Sequence, residues 1–238
     1  MILAMPCFRR SVDVYGPRPF AALAIFVGLT WIARIDAQAD DDVERALAEA
    51  RAHAAAGDVV AQFSLGSMLY YGEDRLPQAI DWFRKAAAQG YAPAEFQMGQ
   101  LYDFGFGVTA DVEQAFAWYR TAADHGSAAA QRAVGDFYRR GRAVAADPAA
   151  AVAWYRRAAD GDDLRAQYQL GQIYFDGTGV TRDYVSAYVW FDVAARQTPL
   201  VDNQKAILEL RNIAAARMTP EQVEEAARRA KAWQPTNN

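Results

Sequence analysis

Two short loops carry paired glycines and, by residue type, could bind phosphate. They read Gly-Phe-Gly-Val-Thr-Ala from Gly105 and Gly-Thr-Gly-Val-Thr-Arg from Gly177. Glycine-rich loops bind dinucleotide phosphates when they follow a strand, open a helix and contain a third glycine. Both loops lack the third glycine, and the residues before them predict a helix rather than a strand. The sequence therefore predicts no phosphate site and no cofactor.

Side chains suited to acid–base, nucleophilic or metal chemistry are few. His53 and His125 are the only histidines, and they do not form a His-x-x-x-His pair. We expect His53 on the exposed side of an alanine-rich helix, and His125 at a helix end, where positive charge is favourable. Cys7 is the only cysteine, and no serine begins Ser-x-x-Lys or lies in Gly-x-Ser-x-Gly. We therefore predict no catalytic residue, no metal site and no enzymatic activity.

Composition also limits the possible partners. The 238-residue chain is 53% hydrophobic, and its charged residues of both signs sum to −4. Nucleic-acid-binding proteins instead concentrate positive charge in a basic patch or stripe. The sequence therefore predicts no nucleic-acid partner.

The first 39 residues are predicted to form a signal peptide that is cleaved after Ala39. Arginines near the start precede an apolar stretch at residues 20–33, which is short for a membrane span. Small residues stand at the positions that a signal peptidase reads. Translation could begin at Met1 or Met5. A periplasmic or secreted protein is therefore expected, and the alternative is a membrane anchor formed by residues 20–33.

The rest of the chain repeats itself. A tryptophan recurs every 36 residues, at Trp82, Trp118, Trp154 and Trp190. A glycine recurs in register with it, at Gly66, Gly99, Gly135 and Gly171, although the first of these intervals is 33 residues. A period of this size is typical of stacked helix pairs, because each pair buries its apolar face only against its neighbours.

Each repeat is predicted to contain two helices. The recurring glycine lies inside the first helix, where it costs about 1 kcal/mol relative to alanine, so a neighbouring helix should approach closely there. Six residues later another glycine should end that helix: Gly72, Gly105, Gly141 or Gly177. Aspartates are placed to cap the second helix: Asp111, Asp147 and Asp183. The second helix should bury an alanine–aromatic stripe, as in Ala115, Trp118, Tyr119 and Ala122.

In this order, these residues resemble the Sel-like repeat, a relative of the tetratricopeptide repeat. The resemblance covers four repeats, which we place at residues 61–93, 94–129, 130–165 and 166–197. A half-repeat at 40–60 precedes them, and capping helices with a tail follow at 198–238. The resemblance implies an all-α fold, a right-handed superhelical solenoid of antiparallel helix pairs with a C-terminal capping helix pair.

Some residues depart from the repeat or end it. Arg75 stands at the first cap position, Ala143 replaces a loop glycine, and Gly161 comes one residue early. These departures concern loop shape rather than the fold. At the other end, Thr219 and Gln222 have the spacing of a capping box, which predicts a helix that covers the last repeat.

The resemblance also implies a ligand surface, because the first helices line a concave groove in tetratricopeptide-like solenoids. If Leu65, Met68 and Leu69 mark the buried face, the groove positions lie three before, one after and four after the helix glycine. These positions are Phe63, Ser67, Tyr70, Phe96, Gln100, Asp103, Arg132, Asp136, Arg139, Tyr168, Gln172 and Phe175. Aromatic residues and arginine are enriched at interface hot spots. The alternative is that some of these aromatic residues pack against the neighbouring repeat.

Together these features predict an exported, non-enzymatic scaffold or adaptor that binds a protein or peptide in its groove. The resemblance implies a role in signalling or assembly at the cell envelope. The alternative is a periplasmic protein that binds or hydrolyses cell-wall glycan or peptide. That activity would require two carboxylates brought together from different repeats.

Overall fold

The computed structural model describes residues 45–70, 75–198 and 201–236. It divides into two units, Met1–Glu49 and Ala50–Asn238. All regular secondary structure in the described residues is helical, which confirms the predicted all-α class. The predicted signal peptide, the alternative anchor at 20–33 and the predicted helix end at Gly72 lie outside the described residues.

Eleven helices are present in the described part of the chain. The first, α1, comprises residues 45–55. The helices of the four repeats are α2 (Val59–Tyr70), α3 (Leu76–Ala87), α4 (Ala92–Phe104), α5 (Val112–Asp124), α6 (Ala128–Arg140), α7 (Pro148–Asp160), α8 (Leu164–Asp176) and α9 (Tyr184–Gln197). Two more helices follow, α10 (Val201–Ala215) and α11 (Pro220–Ala232).

Within the unit Ala50–Asn238, each helix from α2 to α9 packs against the next one along the chain. Both α10 and α11 pack against α9, as predicted for a terminal cap. Thr219 and Gln222 form the reciprocal capping box that begins α11. The segment beyond α11 is also held in place: Trp233 packs edge-on against Trp190, and the Thr236 backbone N–H donates to the Asp160 carbonyl.

The ends of the helices inside each repeat follow from local backbone chemistry. The carboxylates of Asp111, Asp147 and Asp183 each accept a backbone hydrogen bond in the first turn of α5, α7 and α9. The first helices end at Gly105, Gly141 and Gly177, which adopt the left-handed conformation that glycine tolerates best. Arg75, at the first cap position, makes no capping hydrogen bond through its side chain.

Two residues of the third repeat adopt the left-handed backbone conformation at positions where the second repeat has glycine. Ala143 has a φ of 56°, although the equivalent residues Gly107 and Gly179 have φ values of 70° and 77°. Asp162 likewise has a φ of 68° beyond the early Gly161. Aspartate tolerates this region better than most residues, because its short side chain can hydrogen-bond locally. Tertiary packing therefore imposes the repeat geometry on residues that disfavour it.

The recurring helix glycine lies against an aromatic ring of the second helix in its own repeat. A Cβ atom added at Gly99 would lie 2.6 Å from the Tyr119 ring, and one added at Gly171 would lie 2.5 Å from the Phe191 ring. Both distances are shorter than a normal carbon–carbon contact. The close approach predicted from the repeated glycine is thus confirmed.

Two sequence-based expectations about burial were wrong in part. In the Trp-aromatic pair, the second residue is the buried one, whereas Trp82 and Trp118 are only partly buried. In all four repeats the aromatic residue after the tryptophan occupies the space beside the helix glycine. Trp154 and Trp190 are nevertheless buried, because Arg120 and Arg157 lie over the Trp154 ring and Trp233 packs against Trp190. Met68 is 46% exposed, so Leu65 and Leu69 define the buried face of α2 without it.

Candidate functional site

Five of the predicted groove residues meet around one cavity of about 230 Å³. They are Phe96, Gln100, Asp103, Arg132 and Asp136. The cavity is also lined by residues outside the predicted set: Phe104, Tyr119, Ala133, Phe137, Arg140, Arg142 and Arg165. We call this space the arginine cavity, since four arginines line it. It is built mainly by α4 and α6, with contributions from α5, α8 and the loop after α6.

The two aspartates of the arginine cavity already have hydrogen-bonding partners. Asp103 accepts a hydrogen bond of 2.6 Å from Arg142, which lies 39 residues away in the next repeat. It also accepts a longer bond of 3.4 Å from the Tyr119 hydroxyl. Asp136 accepts a bond of 2.8 Å from the Tyr155 hydroxyl, and Arg132 lies 3.6 Å from its other oxygen. These contacts hold both carboxylates in place and offset their charge.

The two tyrosines are held in the neutral, proton-donating form. Burial raises the pKa of Tyr119, and the adjacent Asp103 carboxylate raises it further. Burial likewise raises the pKa of Tyr155, with a further contribution from Asp136. Each hydroxyl is therefore a hydrogen-bond donor to its aspartate at neutral pH and is unsuited to act as a base there.

Two arginines of the arginine cavity take no part in the contacts with Asp103 and Asp136. Arg140 and Arg165 are exposed, and neither forms an ion pair or hydrogen bond with any residue that the structure describes. By contrast, Arg132 binds Asp163 at 3.2 Å and Arg142 binds Asp103. The cavity thus contains two guanidinium groups whose donors are not used within the described part of the chain.

An aromatic surface completes the arginine cavity. Phe96 packs against Tyr119 with ring centroids 5.5 Å apart, and Phe137 is almost fully buried beneath the Arg142 guanidinium. Phe104 is 61% exposed and contacts the ring of Phe106, which is also half-exposed. Adjacent exposed aromatic rings are typical of surfaces that bind another molecule.

A second cavity of about 340 Å³ lies between α8 and α10. Leu164, Tyr168, Ile207 and Leu210 supply most of its apolar lining, and Asn203 and Thr198 contribute polar atoms. We call this space the apolar cavity. Arg165 lines both cavities, so the charged site and the apolar site share a side chain.

The structure does not bring the other predicted groove residues into the arginine cavity. Tyr168 lines the apolar cavity, and its hydroxyl accepts a hydrogen bond from Gln172. Six residues line neither of these two cavities: Phe63, Ser67, Tyr70, Arg139, Gln172 and Phe175. The aromatic members of this set pack against rings of the core, as Phe175 does against Phe191 and Tyr184. These ring contacts lie within each residue's own repeat, rather than with the neighbouring repeat as the packing alternative expected.

Helical spacing could have identified several of the cavity residues that the sequence analysis missed. Phe104 and Arg140 both lie five residues after the helix glycine, one position beyond the predicted register. Arg165 lies three residues before Tyr168, which places it on the same face of α8. Arg142 gave no such signal because it lies in a loop.

His125 has a side-chain partner that no spacing in the sequence indicated. The His125 imidazole lies 2.8 Å from a carboxylate oxygen of Glu95, 30 residues away. Glu95 is almost fully buried, whereas the imidazole is about half-exposed. His53 is exposed, as expected. Within the described ranges, no three histidine, cysteine, aspartate or glutamate side chains are grouped to hold a metal ion.

Of the helices in the described residues, none combines the length and apolar character needed to cross a membrane.

Comparisons with known proteins identify the repeat. A family model described as the Sel1 repeat matches residues 59–91, 92–127, 128–163 and 164–199. The crystal structure of a Sel1 repeat protein from Oxalobacter formigenes is similar, with 34% identity, a TM-score of 0.67, and coverage of 79% of this chain and 78% of that one. A uropathogenic Escherichia coli protective antigen with an SLR fold, c5321, is 32% identical over 75% of this chain and 46% of its own, with a TM-score of 0.48. The comparison with curated proteins gives no significant match.

Proposed function

Because this chain belongs to the Sel1 repeat family, we propose that it is a non-catalytic scaffold that binds a protein or peptide partner in its groove. Proteins of this repeat family are generally scaffolds for protein–protein interaction. The observation that carries the proposal for this chain is the arginine cavity. It combines exposed aromatic rings with guanidinium groups that have no partner in the described residues.

The exposed aromatic rings beside the arginine cavity are costly to leave in water. Phe104 and Phe106 expose apolar area that a partner would bury, at about 25 cal/mol for each Å² removed from water. Aromatic side chains and arginine contribute most of the binding free energy at many interfaces. The paired aspartates and tyrosines beneath them keep the site in one geometry, which lowers the entropy lost when a partner binds.

We further propose that the protein acts outside the cytoplasm, as an adaptor in an envelope process. The support for this is the basic start, the apolar stretch at residues 20–33 and the small residues up to Ala39. Reading the N-terminus of the protein isolated from cells tests it. A chain that begins at Asp40 supports export with cleavage, whereas a chain that begins at Met1 or Met5 contradicts it.

A groove-blocking substitution tests the binding proposal. Gln100 lines the arginine cavity, and its side chain forms no hydrogen bond with any residue in the described ranges, so Gln100→Trp fills the cavity without breaking such a bond. Gln78→Trp is the matched control, because Gln78 is an exposed residue of α3 that lines neither cavity. Crosslinking in cells followed by affinity capture of the tagged full chain compares both variants with wild type.

A partner captured by wild type and Gln78→Trp but lost by Gln100→Trp supports binding in the groove. Circular dichroism and thermal unfolding establish that both variants are folded. A folded Gln100→Trp protein that retains every partner overturns the proposal and places the binding surface elsewhere.

A further inference from the structure

We propose that the groove binds an acidic peptide segment, in which a carboxylate side chain contacts Arg140 and Arg165 and a neighbouring apolar side chain enters the apolar cavity. This inference rests on the proposed function, because both cavities form part of the same groove. It goes further by specifying the chemistry of the partner, an extended segment with aspartate or glutamate next to a large apolar residue.

The arginine cavity concentrates positive charge. The chain as a whole carries a net charge of −4, yet four arginines and two aspartates line the arginine cavity. Both aspartates already accept hydrogen bonds from side chains of the protein. The excess positive charge therefore lies on Arg140 and Arg165, on a protein whose overall charge would not attract an anion.

The guanidinium groups of the arginine cavity favour a carboxylate ligand. Arginine binds a carboxylate through parallel N–H donors, which makes the pair both strong and geometrically specific. A single carboxylate would match the two unused guanidinium groups. A phosphate group carries more negative charge, and Asp103 and Asp136 line the same cavity and would repel it more strongly. These carboxylates favour a peptide acid over a phosphorylated ligand.

Arg165 connects the two cavities. Its side chain lines the arginine cavity and also the apolar cavity, where Tyr168, Ile207 and Leu210 lie. A ligand held by Arg165 therefore has an apolar pocket directly beside its charged group. An acidic residue followed closely by a large apolar residue satisfies both cavities, whereas a purely acidic segment would leave the second one empty.

Selection from a random peptide library on the purified full chain tests the proposal. Retained peptides are sequenced, and their affinities are measured at low and high salt. The test variant is Arg140→Gln/Arg165→Gln. The matched control is Arg51→Gln/Arg229→Gln, which removes the same charge from exposed positions on α1 and α11 that line neither cavity. Gln100→Trp reports on binding in the groove itself.

The expected result is enrichment of peptides that carry aspartate or glutamate beside a large apolar residue. Their affinity should fall about tenfold in Arg140→Gln/Arg165→Gln, fall with added salt, and remain unchanged in the control. Replacing the aspartate or glutamate of a selected peptide by asparagine or glutamine should lower the affinity for the wild-type protein by a similar factor. The same replacement should lower the affinity for the double variant little further.

Three other outcomes overturn the inference and are distinct from one another. Retained peptides that are neutral or basic, and are still lost in Gln100→Trp, overturn the acidic ligand but leave groove binding in place. No retained peptide, or peptides retained equally by Gln100→Trp, overturns peptide binding in the groove and the acidic ligand together. Preference for a phosphorylated form of the same peptides would also contradict the carboxylate assignment.

Discussion

The imidazole Nδ1 of His125 lies 2.8 Å from a carboxylate oxygen of Glu95, a side chain that is only 2% exposed. The equivalent position in the other three repeats holds a buried glutamine, at Gln62, Gln131 and Gln167. Each of those glutamines donates its amide N–H to a carbonyl near the end of the preceding helix. A carboxylate cannot donate that bond, so the second repeat depends on a histidine that the other repeats lack.

We therefore expect the cost of removing His125 to depend on the residue at position 95. His125→Ala should lower the free energy of unfolding by about 2 kcal/mol, because it leaves a buried carboxylate without its partner. In a Glu95→Gln background the same change should cost less than about 1 kcal/mol, since the amide can bond to the backbone instead. Urea unfolding of the four proteins in this double-mutant cycle provides the measurement. Equal costs in both backgrounds would contradict the pairing.

The contact between Gly171 and Phe191 predicts a steric penalty. Gly171→Ala should destabilise the protein by about 2 kcal/mol, because the new methyl group would lie 2.5 Å from the Phe191 ring. Gly135→Ala is the matched control, since its methyl group would lie 3.0 Å from the Tyr155 ring and should cost less. Thermal unfolding compares the two. If alanine is equally tolerated at both glycines, close helix contact does not explain the repeat.

The left-handed backbone at Ala143 predicts a stabilising substitution. Ala143→Gly should raise the free energy of unfolding by about 1 kcal/mol, because glycine removes the clash that a Cβ atom causes at positive φ. The reverse change at the equivalent loop position, Gly179→Ala, should be destabilising by more than this, since its methyl group would also collide with Pro148. Thermal unfolding measures both changes. An Ala143→Gly protein that unfolds at a lower temperature than wild type would show that the loop gains nothing from glycine.

Tyr155 predicts a loss of stability at alkaline pH. Its hydroxyl donates to Asp136 and accepts from Arg139, and burial raises its pKa above the ordinary value. In the unfolded chain the phenol ionises near pH 10, whereas the folded protein retains the proton. The stabilisation is therefore fully present below about pH 10 and declines as the pH rises above it.

Tyr155→Phe isolates this effect. The ring is retained, as at the equivalent residues Phe83 and Phe191, so the variant should lose only hydrogen bonds, worth about 1–2 kcal/mol at pH 8. Urea unfolding between pH 8 and pH 11 should show the two proteins converging, with residual pH dependence from Tyr119. If both proteins lose the same amount of stability as the pH rises, Tyr155 is not a source of the alkaline destabilisation.

The repeat, the helix pairs and most helix ends were predictable from the sequence alone. Gly105, Gly141 and Gly177 set the ends of the first helices, and Asp111, Asp147 and Asp183 cap the second ones. Capping and left-handed turns depend on residues close together in the chain, so local sequence specifies them. The helix glycine and its aromatic neighbour recur in every repeat, so periodicity alone indicated their packing.

Which side chains share a site depends instead on how whole repeats stack. Arg142 meets Asp103 across 39 residues, and His125 meets Glu95 across 30. Phe63 and Phe96 both lie three residues before a helix glycine, yet Phe96 lines the arginine cavity whereas Phe63 packs against Phe83 and does not line it. Trp82 and Trp190 are also equivalent, yet Trp82 is partly buried and Trp190 is buried. Periodicity assigns equivalent positions the same role, whereas each position contacts different neighbours, and those contacts fix burial, charge pairing and the shape of the groove.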